Sequence, residues 1–385
     1  MIFASRRRQN KRACYYGPVT PIPGPETDDL FSELAIGVRE GASDWQFRAG
    51  EPVALRIGGR IVPIAQPPLS EERVRAIAAA ALGCVCKHTL GQMSGAPAVT
   101  DACFAHGGDL YRFHSYTAGA AYCFTLRRLP GKIPDLDELG IPSTFARSAL
   151  AAQRGLILVT GPTGSGKSTT LAAAVDRLNR DRASVILTLE DPIEYRHTSK
   201  RAVIRQLEKG TDFTRFADAL QGALRADPDI ILVGEMRDRE TIAAALSAAE
   251  TGHLVLATLH AASASEAVAR ITGAFPAEHA AEIRAQCAQL LVAVLAQQLV
   301  RTPAQKAVAA FELLIGTPAV KHLIQDSDRR LALLANEIAT GRGAGMVAMD
   351  QSLGDLWRRG LISRSEALRA AFGPANLEQL LRRSA

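Results

Sequence analysis

Short apolar runs rich in β-branched residues alternate with amphipathic stretches through the middle of the chain. Leu156 to Thr160, Val185 to Leu189, Ile230 to Val233 and Leu254 to Leu259 have the composition of strands buried on both faces. Between them, Thr169 to Leu178, Phe213 to Arg225 and Arg239 to Glu250 have the pattern of helices, with Phe213, Phe216, Leu220 and Leu224 on one face. Alternation at this spacing predicts a mostly parallel sheet covered by helices.

The pattern differs on either side. Leu30 to Arg39 predicts a helix ended by Gly41, and Asp44 to Phe47 and Val53 to Ile57 predict short strands. Gly58-Gly59 predicts a hairpin into Arg60 to Ile64. Ser70 can cap a helix with Glu71 and Glu72 in its first turn and Val74, Ile77, Ala78 and Ala81 on one face. Ala98 to Ala105, Leu110 to Ser115 and Tyr122 to Arg128 predict three more strands. From Pro276 onward the pattern predicts helices throughout, with an apolar stripe at Ile283, Cys287, Leu290 and Val294. Ser363-x-x-Glu366 has the form of a capping box, and Gly341, Gly360 and Gly373 stand where helices should stop. The expected layout is an extension over 1–28, a small α+β domain over 29–129, a proline-marked linker over 130–144, an α/β core over 145–275 and a helical region over 276–385. No internal repeat is evident.

Composition refines this picture in two places. The formal charge of +6 is concentrated at the start, where Arg6, Arg7, Arg8, Lys11 and Arg12 stand with no acid among the first twelve residues. The folded body is therefore nearly neutral, which argues against direct nucleic-acid binding and leaves the extension for weak contact with an anionic surface or partner. The six cysteines (14, 84, 86, 103, 123 and 287) lack paired C-x-x-C spacing, so no structural zinc site is expected. The start is arginine-rich without an apolar core, and Cys287 to Val300, the most apolar helical stretch expected, is too short to span a bilayer. A cytoplasmic protein with peripheral membrane contact is the expectation.

The candidate chemistry begins after the first apolar strand. Gly161-Pro162-Thr163-Gly164-Ser165-Gly166-Lys167-Ser168 matches G-x-x-x-x-G-K-[ST], and Thr169 opens the helical stretch that follows. Between a strand and a helix, glycines let backbone N–H groups approach phosphate oxygens, and the helix N-terminus adds partial positive charge. Lys167 would reach the β- and γ-phosphates and Ser168 would sit on Mg²⁺. An ordinary glycine-rich turn would also precede a helix, but both flanks here suit a nucleoside triphosphate. Glu190 ends one strand, Glu235 follows Val233-Gly234 at the end of another, and His253 and His260 bracket a third. An acid at such an edge can hold the Mg²⁺ hydration shell or orient water. Each alone is an ordinary strand end or turn; their arrival in order after a phosphate loop points to one γ-phosphate site.

The segments GPTGSGKSTT, LTLEDPIEY, DPDIILVGEMRDRET and AAETGHLVLATLH resemble the Walker A, Asp, Walker B and His boxes of secretion and type IV pilus ATPases, most closely the PilT-type retraction ATPases. The resemblance runs from about Leu30 to Arg369 and includes Gly41-Ala42-Ser43-Asp44 and Gly316 to Ile324. It implies a RecA-like P-loop NTPase core, a PAS-like N-terminal domain and a homohexamer with ATP between protomers. The implied activity is ATP hydrolysis that drives pilus retraction through an inner-membrane platform protein, the alternative being an ATPase that energises conjugation or secretion. Glu190, Glu235, His260, His253, Arg112 and Arg127 are the implied catalytic residues. Residues 161–169 would bind ATP, with Ser168 and Glu235 on Mg²⁺, partly through water. Ala120 stands where these proteins usually carry a further arginine.

Overall fold

The computed structural model describes residues 22–23, 30–58, 60–83, 100–129, 131–304 and 306–382. The expected basic extension, apart from 22–23, lies outside the described residues, as do Gly59, Cys14, Cys84, Cys86, Ala98 and Pro130. The chain divides into two compact units, one reaching Arg128 and the other running from Leu129 onward together with Gly108 to Leu110.

The first unit is built from β1 (Ile22–Pro23), α1 (Leu30–Arg39), β2 (Ala42–Arg48), β3 (Ala54–Ile57), β4 (Arg60–Ala65), α2 (Glu71–Gly83), β5 (Thr100–His106), β6 (Asp109–Ala118) and β7 (Ala121–Leu129). Its sheet has the order β1-β4-β3-β2-β7-β6-β5. The core is aromatic: Trp45, Phe47, Tyr111, Phe113 and Phe124 are fully buried, and the Trp45 indole donates to the Glu33 carbonyl at 2.8 Å. Ser70 accepts from the Arg73 amide at 3.2 Å, so the expected cap forms. The β6–β7 turn puts Gly119 at φ +58° and Ala120 at φ +64°, both left-handed, as a two-residue hairpin requires.

The second unit carries β8 (Gly155–Thr160), α3 (Lys167–Asp181), β9 (Val185–Glu190), β10 (Val203–Glu208), α4 (Phe216–Ala223), β11 (Ile230–Val233), α5 (Arg239–Glu250), β12 (Leu254–Leu259), α6 (Ala264–Gly273), α7 (Ala280–Leu290), β13 (Leu291–Arg301) and β14 (Ala307–Ile315). Six short helices follow: α8 (Pro318–Asp326), α9 (Asp328–Leu331), α10 (Leu334–Thr340), α11 (Met349–Arg358), α12 (Arg364–Ala370) and α13 (Pro374–Arg382). The sheet order is β10-β9-β11-β12-β8-β13-β14, and every neighbouring pair is parallel except β13–β14. Alternate residues of each central strand enter opposite cores, as period-2 geometry dictates. Leu156, Leu187, Ile231 and Val255 face α4 to α7, whereas Ile157, Ile186, Leu232 and Leu256 face α3 and residues 136–150.

Two expectations are corrected here. The region after Pro276 is not all helix: α7 stops at Leu290, and Leu291 to Ile315 form β13 and β14, which extend the core sheet. The apolar stripe is split, with Ile283, Cys287 and Leu290 on α7 and Val294 on β13, though all four are buried in the same cluster. A fully buried strand has no polar face, so its periodicity cannot be told from that of a buried helix. Within the expected linker, Leu136 and Ile141 pack with Phe145 against Val159 and Val175 of the second unit. The edge strand β10 carries exposed Val203 and Arg205 around buried Ile204, and its polar composition hid it. Among the described residues, no helix is long and apolar enough to cross a membrane.

Leu295 on β13 is fully buried whereas Leu299 is 44% exposed. Leu295→Ala should therefore cost about 2–5 kcal/mol and Leu299→Ser no more than about 0.5, measured by urea unfolding.

Candidate functional site

The carboxyl ends of four parallel strands form one edge. Thr160 is level with Leu259, Ala257 with Val233, and Val233 with Leu189. The residues that follow, Gly161, His260, Gly234 with Glu235, and Glu190, therefore leave the sheet in a row, at the place where open α/β sheets bind ligands.

The phosphate loop at this edge is shaped by close contact. Gly161, Gly164 and Gly166 adopt φ values of +147°, +78° and +90°. A Cβ on Gly161 would overlap the Gln297 carbonyl of β13 and lie 2.6 Å from Ser165 Oγ. Gln297, itself buried, donates from Nε2 to the Ser165 carbonyl at 2.7 Å. Helix α3 begins at Lys167 with no side-chain cap, so its first N–H groups are open to an anion. Lys167 Nζ donates to the carbonyls of Gly161 at 2.8 Å and Pro162 at 3.0 Å. Burial lowers the lysine pKa, and the charges of Glu235 and Glu194 oppose that shift. Ser168 is exposed in the first turn, and Thr169 hydrogen-bonds the buried Tyr195 hydroxyl at 2.9 Å.

Glu235 is placed by a pinched strand end. The Gly234 N–H donates to the Leu189 carbonyl at 2.7 Å, and the Thr258 hydroxyl donates to the Gly234 carbonyl. A Cβ on Gly234 would stand 2.9 Å from the same Leu189 oxygen. Beyond it, Glu235 Oε1 meets Arg237 Nε at 2.7 Å and His260 Nε2 at 2.8 Å. Glu190 has a drier environment. It accepts from Thr188 Oγ1 at 2.7 Å and Gln206 Nε2 at 3.0 Å, yet desolvation outweighs both bonds and raises its pKa. The two carboxyls thus differ: one meets an arginine and a histidine, the other is pushed toward protonation by burial.

His253 does not join this group. It precedes β12 while His260 follows it, so roughly 20 Å of strand separates them. Its Nδ1 lies 2.9 Å from the Ala248 carbonyl, and it lines a polar cleft of about 610 Å³ with Arg182, Ser184 and Asp229 at the opposite edge of the sheet. The expectation that both histidines belong to one site is corrected: residues that bracket a strand must lie at its two ends. Arg112 on β6 and Arg127 on β7 belong to the first unit. There Arg127 Nε donates to the buried Asp44 at 2.7 Å while its guanidinium stays largely exposed. Asp44 is the acid of the Gly41-Ala42-Ser43-Asp44 phrase, so that phrase orients an arginine.

Ser168 and Glu235 offer exposed or half-exposed oxygen donors of the kind Mg²⁺ accepts. Among the described residues no group of three His, Cys, Asp or Glu forms a metal cage, so an ion there would need phosphate and water oxygens to complete its shell. Sequence reasoning missed Gln206, Tyr195 and Gln297. The first stands on an unrecognised strand, and the last falls within Cys287 to Val300, a stretch expected to be helical.

The type II/IV secretion system protein family matches residues 118–345. The type IV pilus retraction ATPase PilT of Pseudomonas aeruginosa is 41% identical over 349 residues, covering 90% of this chain and 99% of that protein. A twitching motility protein of Neisseria gonorrhoeae is 45% identical over 68% of this chain and 69% of its own length. A crystal structure of the pilus retraction motor PilT with bound ADP superposes with a TM-score of 0.82 at 35% identity, covering 91% of this chain and 99% of that one.

A carboxyl whose pKa is raised by folding binds its proton more tightly in the folded state than in the unfolded chain. Its contribution to stability therefore falls as pH rises from the ordinary 4.5 through the raised value. Glu190→Gln, which keeps an acceptor for Thr188 and Gln206, should match wild-type stability below that window and exceed it above. Denaturant midpoints measured across pH 4 to 8, at steps of about one unit, check this; a constant difference at all pH values would contradict it.

Proposed function

This chain belongs to the type II/IV secretion system protein family, and from that premise we propose that it is a PilT-type motor ATPase that powers type IV pilus retraction. The observation that carries the reading is the row of Gly161, His260, Glu235 and Glu190 at one sheet edge, beside the loop that carries Lys167. Similarity along nearly the whole of PilT favours retraction over the secretion and conjugation roles found in the wider family.

In this reading the loop amides and the α3 N-terminus hold the ATP phosphates, and Lys167 exchanges its Gly161 and Pro162 carbonyls for phosphate oxygens. Ser168 and Glu235 would hold Mg²⁺, which supplies positive charge at the β- and γ-phosphates. Glu190 and Glu235 share the tasks of orienting water and accepting its proton, and burial, by raising the Glu190 pKa, makes that carboxylate a stronger base than an ordinary glutamate. His260, tied to Glu235, senses the γ-phosphate through that carboxylate. His253 has no part in this step.

The larger assembly belongs to the same proposal. The core is RecA-like, the first unit PAS-like, and six protomers form a ring with ATP at each interface. Arg112 and Arg127 then act across that interface, where an arginine can be worth about 10³–10⁵ in rate. Hydrolysis removes the γ-phosphate contacts and releases one packing of neighbouring protomers, which moves an inner-membrane platform protein. The protein acts in the cytoplasm, held peripherally at the membrane through that partner.

Lys167→Ala should abolish phosphate release by the purified protein without lowering its melting temperature; activity at the wild-type rate would overturn the site. Glu235→Gln should retain nucleotide binding and lose about 10²–10⁴ in kcat.

A further inference from the structure

Gln297 stands at the centre of β13, beneath the phosphate loop, and touches it in three ways. Its side-chain amide donates to the Ser165 carbonyl at 2.7 Å across 132 residues of sequence. Its backbone carbonyl fills the space where a Gly161 side chain would be. Its Nε2 lies 3.2 Å from where a Gly166 Cβ would stand. The residue is 2% exposed, as is Ser165. Around this bond the packing is buried and polar: Ser165 Oγ and Gln297 Oε1 have no hydrogen-bond partner among the described residues.

We propose that Gln297 is a positioning residue for nucleotide binding, holding the phosphate loop in the shape that presents its amides to phosphate. The proposal rests on the ATPase reading above. The glycines at 161, 164 and 166 bring no side chains to pack, so the loop must take much of its shape from its surroundings. β13 imposes it with a backbone carbonyl that excludes side chains and an amide that fixes the Ser165 peptide. That peptide directly precedes Gly166, the residue from which α3 departs. The same strand pair reaches the other half of the site. Ala296 is paired with Glu312 of β14, and Glu312 accepts from the Ala264 amide at 2.8 Å, at the start of the helix that follows the His260 turn. One ribbon thus sets the phosphate loop and the turn that carries His260.

Contacts from the loop to the phosphates are present in both the ground and transition states. Their loss therefore appears in KM more than in kcat. Gln297→Met keeps the length and removes the donor; it should raise the KM for ATP and the Kd for ADP roughly ten-fold while changing kcat less than about three-fold. Gln297→Glu is isosteric and can donate to Ser165 only when protonated. Its KM should therefore be far above wild type near pH 8 and approach it as pH falls toward about 6, a dependence absent from the wild type. Steady-state kinetics and a fluorescent ADP titration on the full chain read both. Wild-type KM and Kd in both variants, with only a lower melting temperature, would overturn the positioning role. Wild-type protein that neither binds ADP nor splits ATP would instead overturn the ATPase reading, and this proposal with it.

Discussion

The close approach of β13 to the phosphate loop is the constraint on which the rest of the site depends. The Gln297 carbonyl lies where any side chain on Gly161 would have to go, so the loop is forced to be glycine at its first position and takes its path from the strand beneath. That path ends at Gly166 in a left-handed conformation, from which α3 starts with its amides uncapped. A helix N-terminus without a side-chain acceptor leaves its first donors aimed at the sheet edge, the arrangement on which the proposed phosphate site rests.

A second constraint is the parallel sheet. Strands that all run the same way place their carboxyl ends together, so one edge collects the residues that follow β8, β9, β11 and β12. The chemistry then differs residue by residue through burial. Glu190 sits in a desolvated niche with two neutral donors and is driven toward the neutral acid, while Glu235 is held by Arg237 and His260 beside a lysine. Two carboxyls at neighbouring strand ends thereby stand in different surroundings without any change of residue type. The buried Glu312 adds an instance away from the edge: burial raises its pKa against two helix-start amides, those of Ala264 and Met349.

Much of this was legible before folding. The four central strands, the phosphate loop, and Glu190, Glu235 and His260 at the edge follow from short-range pattern, because a β-branched run followed by glycines or acids carries its own signal. The failures share a cause. β13 and β14 are apolar on both faces, so their period is hidden. β10 is a half-polar edge strand, and its period is hidden by the opposite excess. His253 and His260 both fall in the segment that resembles a His box, yet the six residues of β12 between them place the two at opposite edges.

By itself, then, the sequence determined the local chemistry: which residues can cradle a phosphate, which can hold charge, and where strands begin and stop. Only the tertiary structure decided which of them meet. Gln297 and Ser165 are 132 positions apart, and Asp44 and Arg127 are 83 apart, so no local period relates them. Their contacts exist because strand order brings β13 beside β8 and β7 beside β2. Strand order is set by which faces can be buried together across the whole sheet, a property of the assembled core and not of any one segment.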